Sequence, residues 1–215
     1  MGVIEALRQS VIDGDMDQTQ ELALKAIELK LPADQILKEG FISAMAEVGR
    51  LFESHEVFVP EMLIAARAMK SGLVLLRPHL TAAHIQAAGR VIIGTVQGDI
   101  HDIGKNLVGM MLEGAGFEVI DLGADVSPEK YVQAVKEHHP DLVACSALLT
   151  TTMVRMKDVV QGLDEAGLHS QVKVMIGGAP VTEGYAREIG ADLYAPDAAS
   201  AASRAKDLIF KLTKW

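Results

Sequence analysis

A chain of 215 residues with 49% apolar content can bury a substantial core, and its length accommodates one large domain or two small ones. Lys and Arg number 20 against 29 Asp and Glu, a formal charge of -9, so no concentrated basic face is available for phosphates and no nucleic-acid partner is expected. No run approaches the ~18 apolar residues of a membrane span, and acids interrupt the N-terminal segment. Neither a signal peptide nor a membrane partner is therefore expected, and the localisation expected is cytoplasmic.

The first part of the chain has helical periodicity. Helices are predicted over about 2–12 and 16–29, parted by Asp13-Gly14-Asp15 with Asp15 as N-cap. Leu31-Pro32-Ala33 breaks the chain, and a third helix is predicted over 33–54, with Ile36, Leu37, Phe41, Ile42, Met45, Val48 and Phe52 at three- and four-residue spacing. The fourth begins near Pro60, where a missing N–H costs nothing, and is expected to end at about Arg77. Short connections make antiparallel neighbours, so residues 1–88 are expected to form a four-helix bundle. His79 to Gly89 is the expected linker.

From Arg90 the texture changes to short β-rich runs (VIIGTV, FEVIDLG, DLVACSA, VKVMIGG and ADLYA) alternating with helical stretches over about 105–114, 128–137, 152–165, 182–189 and 198–212. Such alternation means parallel βαβ units, so residues 89–215 are expected to form an α/β domain with a flavodoxin-like, doubly wound five-stranded parallel sheet. The lone Cys145 lies within an apolar run and reads as a small core residue in a reducing compartment rather than a catalytic thiol. The acids form no paired-carboxylate constellation, and no catalytic residue is assigned.

Ligands of open parallel sheets bind beyond the carboxyl ends of the strands, which directs attention to the loop after VIIGTV: Gln97-Gly98-Asp99-Ile100-His101-Asp102-Ile103-Gly104-Lys105-Asn106. The two-residue spacing of Asp99 and His101 lets a carboxylate accept one imidazole N–H while the other nitrogen points outward as a metal ligand. Gly98 and Gly104 let a large ligand approach the backbone. An ordinary loop histidine fits Asp-x-His equally well. Zinc fits poorly, since no second His/Cys cluster has suitable spacing, and the glycines match neither dinucleotide nor P-loop fingerprints. Two later strand ends add weight to a binding site. Ser146-Ala147-Leu148 is followed by hydroxyls at Thr150 to Thr152, and Gly177-Gly178 has almost no side-chain volume. Together they suggest a slot for a long inserted ligand tail.

Asp99-x-His101-x-x-Gly104, then Ser146-x-Leu148, then Gly177-Gly178, with gaps of 41 and 28 residues, resemble the signature of the cobalamin-binding module of methionine synthase, corrinoid methyltransferase subunits and several mutases. GDIHDIGKNLVG and FEVIDLGADVSPEKYVQAV extend the likeness to the methionine synthase type. In the helical half, Phe52, Val59 and Met62 stand where that family caps the upper corrin face, Val59 replacing a familiar leucine. The resemblance implies a cobalamin or related corrinoid bound with its benzimidazole tail detached from cobalt and lodged near Ser146, Leu148, Gly177 and Gly178, beside Tyr194 and Ala198. It implies His101 as lower cobalt ligand and Thr152 as third member of a His-Asp-hydroxyl relay.

A bundle cap plus a corrinoid domain is what a methyl carrier requires. The resemblance therefore implies a non-catalytic component that shuttles methyl groups, with cobalt doing the chemistry, between a donor-specific methyltransferase and an acceptor methyltransferase using tetrahydrofolate or a thiol, with a reductive activase as a further partner. Methylated amines rank ahead of methanol and aryl methyl ethers as donors. The alternatives are the cobalamin subunit of a mutase, which needs a substrate barrel of about 200 further residues, and a cobalamin-dependent regulator, which needs a basic recognition helix absent from this sequence.

Overall fold

The structure, a computed structural model, describes residues 2–212; residue 1 and residues 213–215 of the two expected domains lie outside the described residues. The chain forms two compact units, the first reaching to Ala87 and including Gly114–Gly116, the second made of Ala88–Glu113 and the residues from Phe117 onward.

The first unit is all helical: α1 (Val3–Ile12), α2 (Met16–Glu28), α3 (Ala33–Gln35), a π turn (Ile36–Ile42), α4 (Ser43–Glu53) and α5 (Val59–Ala82). Asp15 caps α2 as expected, its side chain accepting the Gln18 N–H at 2.9 Å. The expected third helix is continuous from Ala33 to Glu53 but carries the π turn. Apolar spacing cannot reveal that feature, because Ile36, Phe41, Met45 and Val48 serve the core in either geometry.

The fourth helix differs at both ends. It starts at Val59, where the Glu61 carboxylate turns back to accept the Phe58 N–H, and it runs through Pro78 to Ala82, into the stretch expected as linker. Pro78 cannot donate to the carbonyl four residues earlier; that carbonyl belongs to Val74, a residue 60% exposed, so the missing bond falls on the helix's outer side and the helix continues.

The second unit alternates strands and helices: β1 (Arg90–Thr95), α6 (Ile103–Gly114), β2 (Glu118–Asp121), α7 (Pro128–His138), β3 (Leu142–Ser146), α8 (Thr150–Met153), α9 (Arg155–Glu165), β4 (Lys173–Gly177), α10 (Glu183–Ile189), β5 (Leu193–Ala195) and α11 (Ala198–Leu212). All pairings are parallel and the strand order is β2-β1-β3-β4-β5, the flavodoxin-like arrangement expected. Ile92, Val143, Cys145, Val174 and Ile176 share a core with Tyr131 of α7 and Met156, Val159 and Leu163 of α9. Their strand neighbours Val91, Ile93, Ala144 and Met175, equally buried, point to the opposite face, so both faces are covered. Cys145 is a core residue: burial pushes its thiol up to about 12, against a smaller opposing effect of the Tyr131 hydroxyl.

Candidate functional site

The strand order changes direction between β1 and β3, and the loops leaving those strands meet there. Their last residues are in register across the sheet: Thr95 opposite Ser146, Ser146 opposite Gly177, and Gly177 opposite Ala195. Four motifs separated in sequence thus end in one row.

Asp99 occupies the centre of this junction and is completely buried. One carboxylate oxygen accepts the backbone N–H of His101 at 3.0 Å and bonds its ring Nδ1 at 2.7 Å. The other accepts the Leu148 N–H at 2.8 Å and the Thr152 hydroxyl at 2.6 Å. Burial alone would raise its pKa, but the hydrogen bonds from Thr152, from the Leu148 backbone and from His101 outweigh it and hold the carboxyl well below the usual carboxylate range. An ionised carboxylate can only accept, so the imidazole proton resides on Nδ1 and the lone pair on Nε2. The ring is 47% exposed, which leaves Nε2 open to a ligand.

Near His101 in the same two loops, Ile100 and Ile103 are each 78% exposed and Leu148 is 45% exposed; grouped exposed aliphatic side chains are a feature of binding surfaces. A Cβ on Gly104 would meet nothing within 4 Å, so no neighbour within the chain requires glycine there. Gly98 has φ +83 and is required by its backbone. Asp102 is exposed and starts α6, its carbonyl accepting the Asn106 N–H at 2.8 Å.

At the other strand ends, Ser146 is half-buried and Thr150 exposed. The glycines of β4 have an internal reason to be small: a Cβ on Gly177 would stand 2.8 Å from the Ala195 carbonyl oxygen, and one on Gly178, at φ +130, would stand 1.9 Å from that of Ala147. Tyr194 is half-buried and Ala198 buried at the start of α11. In the helical unit Phe52 is half-buried, Val59 exposed at the first residue of α5, and Met62 fully buried.

Sequence reading missed the supports of this loop. Thr95 is fully buried and its hydroxyl donates to the His101 carbonyl at 2.9 Å. Lys105, 2% exposed, pairs its ammonium with Asp121, and Asp125 accepts the Gly98 N–H at 2.7 Å. A lysine in a helix's first turn ordinarily reads as solvated; only the partner across the sheet reveals otherwise.

Among the described residues no group of three or more His, Cys, Asp or Glu could hold a metal ion. The oriented imidazole can supply one nitrogen ligand, and the open space at Gly104 leaves room for a large group beside it. Among the described residues no helix is long and apolar enough to cross a membrane.

Comparison with known proteins agrees. Residues 89–203 match the B12 binding domain family, and residues 3–77 match a second B12 binding domain family. A trimethylamine corrinoid protein of Methanosarcina acetivorans is 44% identical over 209 residues, covering 96% of each chain. A dimethylamine corrinoid protein of the same organism is 42% identical over 212 residues, covering 97% of this chain and all of the relative. Among solved structures, the methanol:cobalamin methyltransferase complex of Methanosarcina barkeri matches with a TM-score of 0.87 and 29% identity, over 97% of this chain and 80% of that one. The row of strand-end motifs, the oriented His101 and these matches together place the chain in the family of B12-binding corrinoid proteins.

Proposed function

We propose that this protein carries a methyl group on a corrinoid ligated by His101, receiving it from a donor-specific methyltransferase and passing it to a second methyltransferase that uses tetrahydrofolate or a thiol. The observation that carries the proposal is the buried Asp99 carboxylate, which fixes the His101 imidazole through Nδ1 and leaves Nε2 as the ligating nitrogen. When bound, the corrinoid supplies a cobalt centre that can accept and release a methyl group.

The chain's own residues bind, orient and shield. Gly98, Ile100, Asp102, Ile103, Gly104 and Leu148 form the rim around His101. Ser146, Thr150, Gly177, Gly178, Tyr194 and Ala198 hold the tail, and Phe52, Val59 and Met62 shield the methyl group, Met62 from a buried starting position. Asp99 orients the imidazole and Thr152 completes the relay. The four hydrogen bonds that the Asp99 carboxylate accepts would hold the ring with Nδ1 toward it and Nε2 toward the ligand. A reductive activase is the third partner in this scheme. Methylamines are the favoured donors, supported by relatives that are themselves trimethylamine and dimethylamine corrinoid proteins.

Reconstitution of the full chain with hydroxocobalamin, followed by reduction to the Co(II) state, tests the ligation. Nitrogen hyperfine coupling in the electron-spin spectrum whose splitting changes when the chain is 15N-labelled, a change absent in His101→Ala, is the expected result; failure to bind, or a splitting that 15N-labelling of the wild-type chain leaves unaltered, overturns it. Transfer of methyl from a methylated amine to the loaded chain by a cognate methyltransferase tests the carrier role.

A further inference from the structure

The loop that follows β2 touches the His101 loop at both ends. At the entry, the Asp125 carboxylate accepts the Gly98 N–H at 2.7 Å, and the Asp125 N–H donates to the Asp99 carbonyl at 3.0 Å. In the middle, the Thr95 N–H donates to the Gly123 carbonyl at 3.0 Å, and the Thr95 hydroxyl holds the His101 carbonyl at 2.9 Å. At the exit, Asp121 pairs with the buried Lys105 ammonium, which also donates to the Asn106 side chain at 2.7 Å; the Asn106 amide in turn donates to the Asp102 carboxylate at 3.1 Å.

Two of these groups are held where an isolated residue would not rest. Asp125 has φ +54, a left-handed conformation that Asp adopts more readily than most residues with a Cβ, and here its carboxylate and N–H are both engaged by the His101 loop. Lys105 is an ammonium with almost no access to water, which persists only with an acidic partner. Both are spent on the same ten-residue loop, yet neither points its charge at His101 or at the exposed rim. We infer that the Asp121–Asp125 segment is a positioning clamp for the His101 loop. Asp125 fixes the loop's entry through Gly98 and Asp99, while Asp121 fixes its exit through Lys105, Asn106 and Asp102. The inference rests on the reading of His101 as the ligand. It assigns the direction of the imidazole to residues on the far side of β1 as well as to Asp99 and Thr152.

Asp125→Gly is the test, because glycine keeps the left-handed backbone and deletes only the carboxylate. In the metal-free, 15N-labelled full chain, exchange of the His101 Nδ1 proton with water is expected to accelerate at least about tenfold, and hydroxocobalamin affinity to fall about 10- to 100-fold, the range for loss of a residue that orients a metal ligand. Asp125→Asn, which keeps an acceptor and tolerates the same φ, should restore both, and Asp121→Asn should act in the same direction as Asp125→Gly. Val160→Ala in α9, a core truncation away from the loop, should lower stability and leave the His101 signal as in the wild type. The clamp is refuted if Asp125→Gly retains wild-type proton exchange and affinity within about twofold, or if Val160→Ala disturbs the His101 signal equally. Absence of nitrogen coupling in the loaded wild type would instead overturn the ligand reading, and the metal-free proton exchange would still decide whether the clamp exists.

Discussion

Replacing Asp99 by Asn is nearly isosteric and separates charge from shape. Each carboxylate oxygen accepts one backbone N–H, from His101 at 3.0 Å and from Leu148 at 2.8 Å, and neither donor can turn away. Whichever oxygen becomes NH2, one of those buried N–H groups faces another donor, at a cost of about 1–3 kcal/mol. The two bonds left on the amide oxygen change from charge-assisted to neutral, losing about 1 kcal/mol each. The sum is about 3–5 kcal/mol, a large share of a domain's stability, measurable by urea unfolding of the metal-free chain followed by circular dichroism. The pH dependence supplies a second check. Asp99 has a folded pKa held below its unfolded value, so its contribution is fully present above about pH 4 and is lost as pH falls through the folded value. The wild-type advantage over Asp99→Asn should shrink as pH falls below about 4. A variant as stable as the wild type at pH 7, or an advantage undiminished on acidification well below about pH 4, would refute the reasoning.

Thr152→Val removes the 2.6 Å hydroxyl donor and should cost about 1.5–3 kcal/mol in urea unfolding, with Thr152→Ser retaining most of it. Gly178→Ala must place a methyl 1.9 Å from the Ala147 carbonyl at φ +130, so a loss of about 3 kcal/mol or more is expected in the same assay. Gly104→Ala should behave in the opposite way: with open space and a helical position it should leave the metal-free protein unchanged or stabilise it by up to about 1 kcal/mol, while weakening hydroxocobalamin binding in a spectrophotometric titration. Cys145, with its thiol pushed up to about 12, should resist iodoacetamide at pH 8 in the native protein and be alkylated on unfolding, as read by mass spectrometry.

The strand count and order of the second unit were legible because both faces of the sheet are covered, which writes the inner strands β1, β3 and β4 as short, nearly continuous apolar runs between polar helices. The helical unit was legible except at its irregularities. Local spacing says nothing about a π turn, and Pro78 reads as a stop unless the exposure of Val74 is known. The Gly177-Gly178 pair was legible as a place needing small residues; that Ala195 and Ala147 also demand them appears only once the strand register brings those residues alongside.

The same register explains which half of the site could be read. Asp99 and His101 are two residues apart, and their bond follows from local geometry alone. The remaining donors to Asp99 stand 49 and 53 residues away: the Thr152 hydroxyl was expected through the family resemblance alone, and the Leu148 N–H appears only once β1 and β3 stand side by side. The clamp lies on the other side of β1. Gly98 and Asp125 are 27 residues apart and Lys105 and Asp121 are 16 apart, with no shared motif between them. Each polar partner there has an ordinary solvated reading until β2 is placed beside β1. A strand order of 2-1-3 surrounds the first loop with two others, and a ligand loop in that position can be oriented from both sides while its outer face, with Nε2 of His101, stays free.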